Sequence, residues 1–109
     1  MAGTISTVGV VAVVAGLTVS LAIVGGAAVA AQRLAGIADA AALAAADAAS
    51  GAVAGVPCEL ASRIAAEGGA LVEECDVAGL ICTITVAGAY GGISFDARSR
   101  AGPPETPSP

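Results

Sequence analysis

Residues 8–31 form an unbroken run of 24 apolar or small side chains, and the first charged residue of the chain is Arg33. At ~1.5 Å per residue, a helix over such a run reaches about 36 Å, enough to cross a hydrocarbon core of ~30 Å. The run is rich in Val, which favours strand in water. An isolated strand in a bilayer leaves its backbone groups unpaired, so helix is the workable form. Thr18 and Ser20 are the only hydroxyls within it, and both can bond back to the preceding turn. The helical pattern does not stop at the end of the run. Residues 27–49 contain 14 Ala, no Pro and one Gly, which predicts a continuous helix from about Ile5 to Ala49 that ends at Ser50-Gly51. The extension over 32–50 carries Arg33, Asp39 and Asp47, so it leaves the bilayer near Gln32. Its apolar stripe is thin: Leu34, Ile37, Ala41, Ala44 and Ala48, small enough for close packing against another helix.

Residues 51–56 read as a flexible link. Pro57 suits the first position of a second helix, with Leu60, Ala61, Ile64 and Ala65 on one face and Gly68-Gly69 as its end. Leu71 to Val77 and Leu80 to Ala87 read as two strands around an Ala78-Gly79 turn. That turn sets Val77 opposite Leu80, Cys75 opposite Cys82 and Glu73 opposite Ile84. One face then holds Leu71, Cys75, Val77, Leu80, Cys82, Ile84 and Val86, with Glu73 as an outlier. The other holds Glu74, Asp76, Thr83 and Thr85. The second helix is expected to cover the apolar face. Residues 93–97 suggest a short third strand, and residues 102–109 (GPPETPSP) a disordered Pro-rich tail. The fold class is therefore α+β: a long N-terminal transmembrane helix, a linker, and a small helix-plus-antiparallel-hairpin head over residues 57–101.

Composition narrows the chemistry. The chain has 109 residues, a formal net charge of −5, no His, and only Tyr90 and Phe95 as aromatics. Nucleic-acid binding needs a dense basic surface, which four Arg do not provide. Without His, the commonest general base and zinc ligand are gone. No phosphate-binding loop, paired acid and base, or metal-ligand spacing occurs. The sequence therefore points to no enzyme, no cofactor, no metal and no small-molecule substrate. Glu73, Glu74 and Asp76 read as a solvated strand edge that discourages aggregation.

The three cysteines, Cys58, Cys75 and Cys82, contain no C-x-x-C, and no evident base activates any of them. A structural disulfide suits so small a head. Cys58–Cys75 would tie the second helix to the sheet and closes the longer loop; Cys75–Cys82 would link only the hairpin. The first pairing is expected, with Cys82 left as a buried thiol. Within the apolar run, Gly16 and Ser20, and Ala22 and Gly26, are small residues four apart that permit helix packing.

Two stretches carry a family resemblance. IADAAALAAA (residues 37–46), directly after an N-terminal span, resembles a segment of TadE/TadG-like minor pseudopilins from tight-adherence (Flp-type) pilus loci. CELASRIAAEGGALVEEC (residues 58–75), a Val/Thr-rich hairpin and a closing ARSRAGP (residues 97–103) are similar, in order and spacing, to the actinobacterial TadE-like branch near helicase and secretion genes. The resemblance implies a single-pass membrane protein with an extracytoplasmic C-terminal domain, which assembles or stabilises a pilus or secretion apparatus by packing. Its implied partners are the major pilin, other pseudopilins and inner-membrane platform proteins, and Asp39 would cap or pair with a partner helix. The family's processing site places Gly before the processed end and Glu five residues on; here Gly3 is followed at that spacing by Val8. Two rival expectations stand beside it: a self-associating holin- or toxin-like membrane protein, and a secreted disulfide protein released after Ala30.

Overall fold

A computed structural model describes residues 2–104. The elements run in the order α1 (Ala2–Ala49), α2 (Pro57–Glu67), β1 (Leu71–Ala78), β2 (Ile81–Tyr90) and β3 (Ile93–Ala101). The chain is thus α+β, with a long apolar helix, a short helix and a three-stranded antiparallel sheet in the order β1-β2-β3. It divides into two compact units, one up to Ala30 and one from Ala31 onward.

The first unit is helix alone. From Ala2 to Gly25 every residue is exposed, including Val, Leu and Ile at more than half of their free area. Ser6, Thr7, Thr18 and Ser20 each donate a hydroxyl hydrogen bond to the carbonyl four residues back. These side chains therefore place no unpaired polar group on the helix surface, as a lipid-facing surface requires.

In the second unit the C-terminal part of α1 packs on the sheet. Leu34, Ala38, Ala41, Ala42 and Ala45 are buried, in one cluster with Ala61 and Ala65 of α2 and Cys82, Ile84 and Val86 of β2. The buried stripe is rotated from the expected one: Ala38, Ala42 and Ala45 lie inside, while Ile37, Ala44 and Ala48 lie at its margin. Its partners are the chain's own α2 and sheet. Glycines make room for its two large residues. A methyl group on Gly68 would fall 2.7 Å from Ile37 Cδ1, and one on Gly88 would fall 3.1 Å from Leu34 Cδ1.

Helix ends follow local chemistry. Gly51 takes a positive φ of 81°, and its N–H reaches the Ala48 carbonyl. Pro57 opens α2. At its other end the Gly69 N–H bonds to the Ala66 carbonyl and the Ala70 N–H to the Ala65 carbonyl, with Gly69 at φ +79°. That pair of bonds is a Schellman closure, which needs a left-handed residue.

The sheet corrects the expected hairpin in two ways. Ala78 pairs with Ile81, so the turn is Gly79-Leu80 rather than Ala78-Gly79. Gly79 has φ +62° and no non-glycine residue has positive φ, which fits a type II′ turn with glycine first. From Glu74 to Ala78 every pair shifts by two residues: Cys75 faces Ile84, and Val77 faces Cys82. A shift of two preserves the faces. The second correction does change a face. Val72 pairs with Val86 and Glu74 with Thr85, leaving Glu73 as the extra residue of a bulge. Beyond it the parity inverts, so Val72 packs against the core and Leu71 is exposed. β3 runs to Ala101, longer than expected, and joins β2 through Gly91-Gly92, both at positive φ. Residue Gly102 follows it against Leu80 and Ile81; the expected tail beyond residue 104 lies outside the described residues.

Gly68→Ala forces its new methyl into Ile37 Cδ1 and Cγ1 and should destabilise the head by about 1–3 kcal/mol, an added cost that should disappear in an Ile37→Ala background. Gly36→Ala meets open space on an exposed helix face and should be neutral or stabilising by up to about 1 kcal/mol. Denaturant midpoints of the full chain in detergent micelles check both.

Candidate functional site

Among the described residues no three of His, Cys, Asp and Glu converge to hold a metal, and no buried side-chain nitrogen or oxygen lacks a hydrogen-bond partner. What the chain offers is surfaces, set by the helix and the sheet.

The first surface is the apolar helix. It is long and apolar enough to be a single membrane span. Gly16, Ser20 and Ala22 are exposed and Gly26 half-buried. At 100° per residue the Gly16/Ser20 pair and the Ala22/Gly26 pair point about 120° apart round the axis. They form two separate notches rather than one continuous stripe. The Ser20 hydroxyl is occupied by the Gly16 carbonyl at 2.9 Å, so it is not offered to a neighbour as a donor.

The second surface is the ridge of α1 that faces away from the sheet. Gly36, Asp39, Ala40, Leu43 and Asp47 are all exposed, and their spacing sets them on one side of the helix. Asp39 and Asp47 flank Leu43, whose exposure is 58%. Opposite them Ala38, Ala42 and Ala45 are buried, so the ridge is pinned outward by the core. The sequence identified Asp39 alone. Leu43 was legible as its neighbour at i+4, but only the packing of the opposite face shows that it is left open.

The third surface is the open face of the sheet. Glu74 pairs with Thr85, and Thr85 with Arg98; Asp76 pairs with Thr83, and Thr83 with Arg100. Acids thus line one edge and arginines the other, with threonines between. Thr85 is only 7% exposed, which fits shielding by long neighbouring side chains. Such exposed charges contribute little to stability, and what they give is a polar, solvated face.

The cysteines set the head's chemistry. Cys58 and Cys75 form a disulfide with Cα atoms 5.9 Å apart. It links the first turn of α2 to the middle of β1, and closing a loop of this size is worth about 3 kcal/mol. Cys82 is a free, fully buried thiol. It faces Val77 across the ladder rather than Cys75, so the alternative hairpin bridge has lost its expected opposition. Burial, with the Asp76 carboxylate adding to it, pushes the Cys82 thiol above its ordinary value.

A thiol whose folded pKa lies above its unfolded value of ~8.5 adds stability that is full below that pH and lost as pH rises through the folded pKa. The denaturation midpoint should therefore fall as pH rises above about 8.5 more steeply in the native chain than in Cys82→Ala. Non-reducing peptide mapping after alkylation of the native chain should recover a Cys58–Cys75 cross-link and an unmodified Cys82 thiol. A Cys75–Cys82 cross-link would contradict the fold.

The chain was compared with family models, with curated proteins and with solved structures, and none of them matches it.

Proposed function

We propose that the chain is a non-enzymatic, membrane-anchored, pseudopilin-like component of a tight-adherence pilus or secretion apparatus. One observation carries this reading. A single uninterrupted helix, α1, is unshielded and apolar in its first part and is built into a disulfide-bonded head in its second. Such a helix serves as anchor and as structural spine at once. In the bilayer its apolar surface is solvated by lipid. Beyond Arg33 its outer ridge, with Leu43 between Asp39 and Asp47, is the face available to a partner helix. The resemblance of residues 37–46 and 58–75 to TadE-like proteins supports the same reading.

The head is extracytoplasmic in this proposal. A structural disulfide persists outside the reducing cytoplasm, and Cys58–Cys75 is formed in the fold. Arg33 follows the span and by the positive-inside tendency pulls the other way, but one residue is a small bias against the stability that the bridge contributes. The partners are other pseudopilins or the major pilin, together with inner-membrane platform proteins. The work is positioning: the helix enters an assembly of like helices and the head presents its surfaces.

Two measurements test this. The chain should stay in the membrane fraction through a carbonate wash at its full mass; a soluble product that begins at Ala31 would establish a cleaved signal peptide instead. Asp39→Leu should insert as the native chain does, because Asp39 is exposed beyond the span, but should recover markedly less partner on co-purification. Undiminished recovery would reduce Asp39 to a solvated surface residue.

A further inference from the structure

Three large apolar or aromatic side chains stand out of the head at one end of the sheet. Leu71 is 74% exposed, Ile93 72% and Tyr90 36%. Tyr90 and Ile93 flank the Gly91-Gly92 turn as a cross-strand pair, and Leu71 pairs with Ala87 at the same end of the neighbouring strand. The tip itself carries no charge, since residues 87–95 contain no Asp, Glu, Lys or Arg; the nearest are Glu73 and Asp96, and Asp96 pairs with Ala87 in the row of Leu71.

The position of this end is fixed by packing within the head. Leu34 meets Gly88, and Ile37 meets Gly68 just before β1. Both contacts involve the part of α1 that has just entered the head at Ala31. From Gly88 the strand runs on two residues to Tyr90, about 7 Å at ~3.3 Å per residue. From Leu34 back to Ala31 is about 4.5 Å of helix. Within the head, the tip therefore lies toward the Ala31 end of its part of α1.

We propose that the β2–β3 tip, Tyr90 to Ile93, together with Leu71, inserts into the lipid–water interface as a second membrane contact of the head. This rests on the membrane-anchor reading of α1. The occupant is the interfacial region of a phospholipid bilayer, and the chemistry fits it. A tyrosine ring is apolar in its body and polar at its hydroxyl, the combination that favours the interface. Ile93 supplies apolar area at an uncharged tip, and Leu71 adds to it one row further from the tip, where Asp96 marks the polar limit of the contact. The glycine turn between Tyr90 and Ile93 adds no bulk at the apex. The opposite turn is the internal contrast. Leu80 there is 48% exposed, but it lies at the far end of β2 and is approached by Gly102, where an added methyl would fall 2.9 Å from the Leu80 carbonyl oxygen.

The chain provides its own probe, since Tyr90 is its only tyrosine and it has no tryptophan. The full chain is reconstituted into phosphatidylcholine/phosphatidylglycerol vesicles, and Tyr90 emission is followed with aqueous iodide and with lipid carrying a nitroxide on the upper acyl chain. The nitroxide lipid should remove most of the emission and iodide little of it. Ile93→Glu should reverse that order, and Leu80→Glu should leave it unchanged; both sites are exposed, and retention of the Cys58–Cys75 bridge confirms folding. Iodide quenching equal to that of N-acetyltyrosinamide, with no effect of the nitroxide lipid, would overturn the proposal while leaving the anchor intact. Failure of the chain to remain with the vesicles at all would overturn both.

Discussion

The head depends on one buried cluster shared by an alanine-faced helix, α2 and the central strand of the sheet. Ala38, Ala41, Ala42 and Ala45 have no exposed area, and each presents only a methyl group. Burial of so little side chain is worth little per residue, at ~25 cal/mol per Å². It stabilises only where the surroundings fit it, and glycines stand opposite the two large residues at the entry, Leu34 against Gly88 of β2 and Ile37 against Gly68 at the end of α2. A β-carbon at Gly68 or Gly88 would displace those side chains and weaken their dispersion contacts. Packing geometry, rather than apolar volume, therefore limits the head's stability.

The disulfide follows from that limit. The largest fully buried side chains are Ile84, Val86 and Cys82, and no aromatic ring lies at the centre. A head so lightly filled gains from a restricted unfolded state. Cys58–Cys75 is placed where that restriction also helps the native state, since it fixes α2, whose start has Pro57 but no side-chain cap, to the middle of an edge strand. α2 needs the tie because only Ala61 and Ala65 are fully buried on it.

Much of this was written plainly in the pattern of residues. The long helix, its end at Ser50-Gly51, the Pro57 start, the Gly68-Gly69 stop and the favoured cysteine pairing follow from short-range rules of propensity, capping and loop closure. The misses share a different cause. The hairpin turn was set one residue early, which moves the register by two, because Ala78-Gly79 and Gly79-Leu80 both contain the glycine, and only the demand for positive φ at the first turn position selects the second. Glu73 was visible as a polar outlier on an apolar face, which is the trace a bulge leaves. The pairing that shows it, Val72 with Val86 and Glu74 with Thr85, is a property of two strands and cannot be read from one. The helix stripe was rotated because alanines fill nearly every position between Leu34 and Ala49. A face in such a segment is chosen by its partner and not by its own periodicity.

The same helix serves two surroundings, and its side-chain sizes record the change. Up to Val29 it carries Val, Leu and Ile all round its surface, exposed by more than half. From Ala30 the large apolar residues give way to alanine, with Leu34 and Ile37 kept on the packed side and Leu43 on the outer ridge. Gln32 and Arg33 mark the transition. Lipid is as apolar as a leucine side chain, so bulky apolar residues are at no disadvantage there; in the head, alanine leaves room for the Cys82, Ile84 and Val86 side chains of β2. Ala-for-Val exchange past residue 30 thus does what a break in the helix would otherwise do. It ends the segment suited to a bilayer and begins the segment suited to a sheet, without a Pro or a loop. Helical hydrogen bonding continues through that boundary.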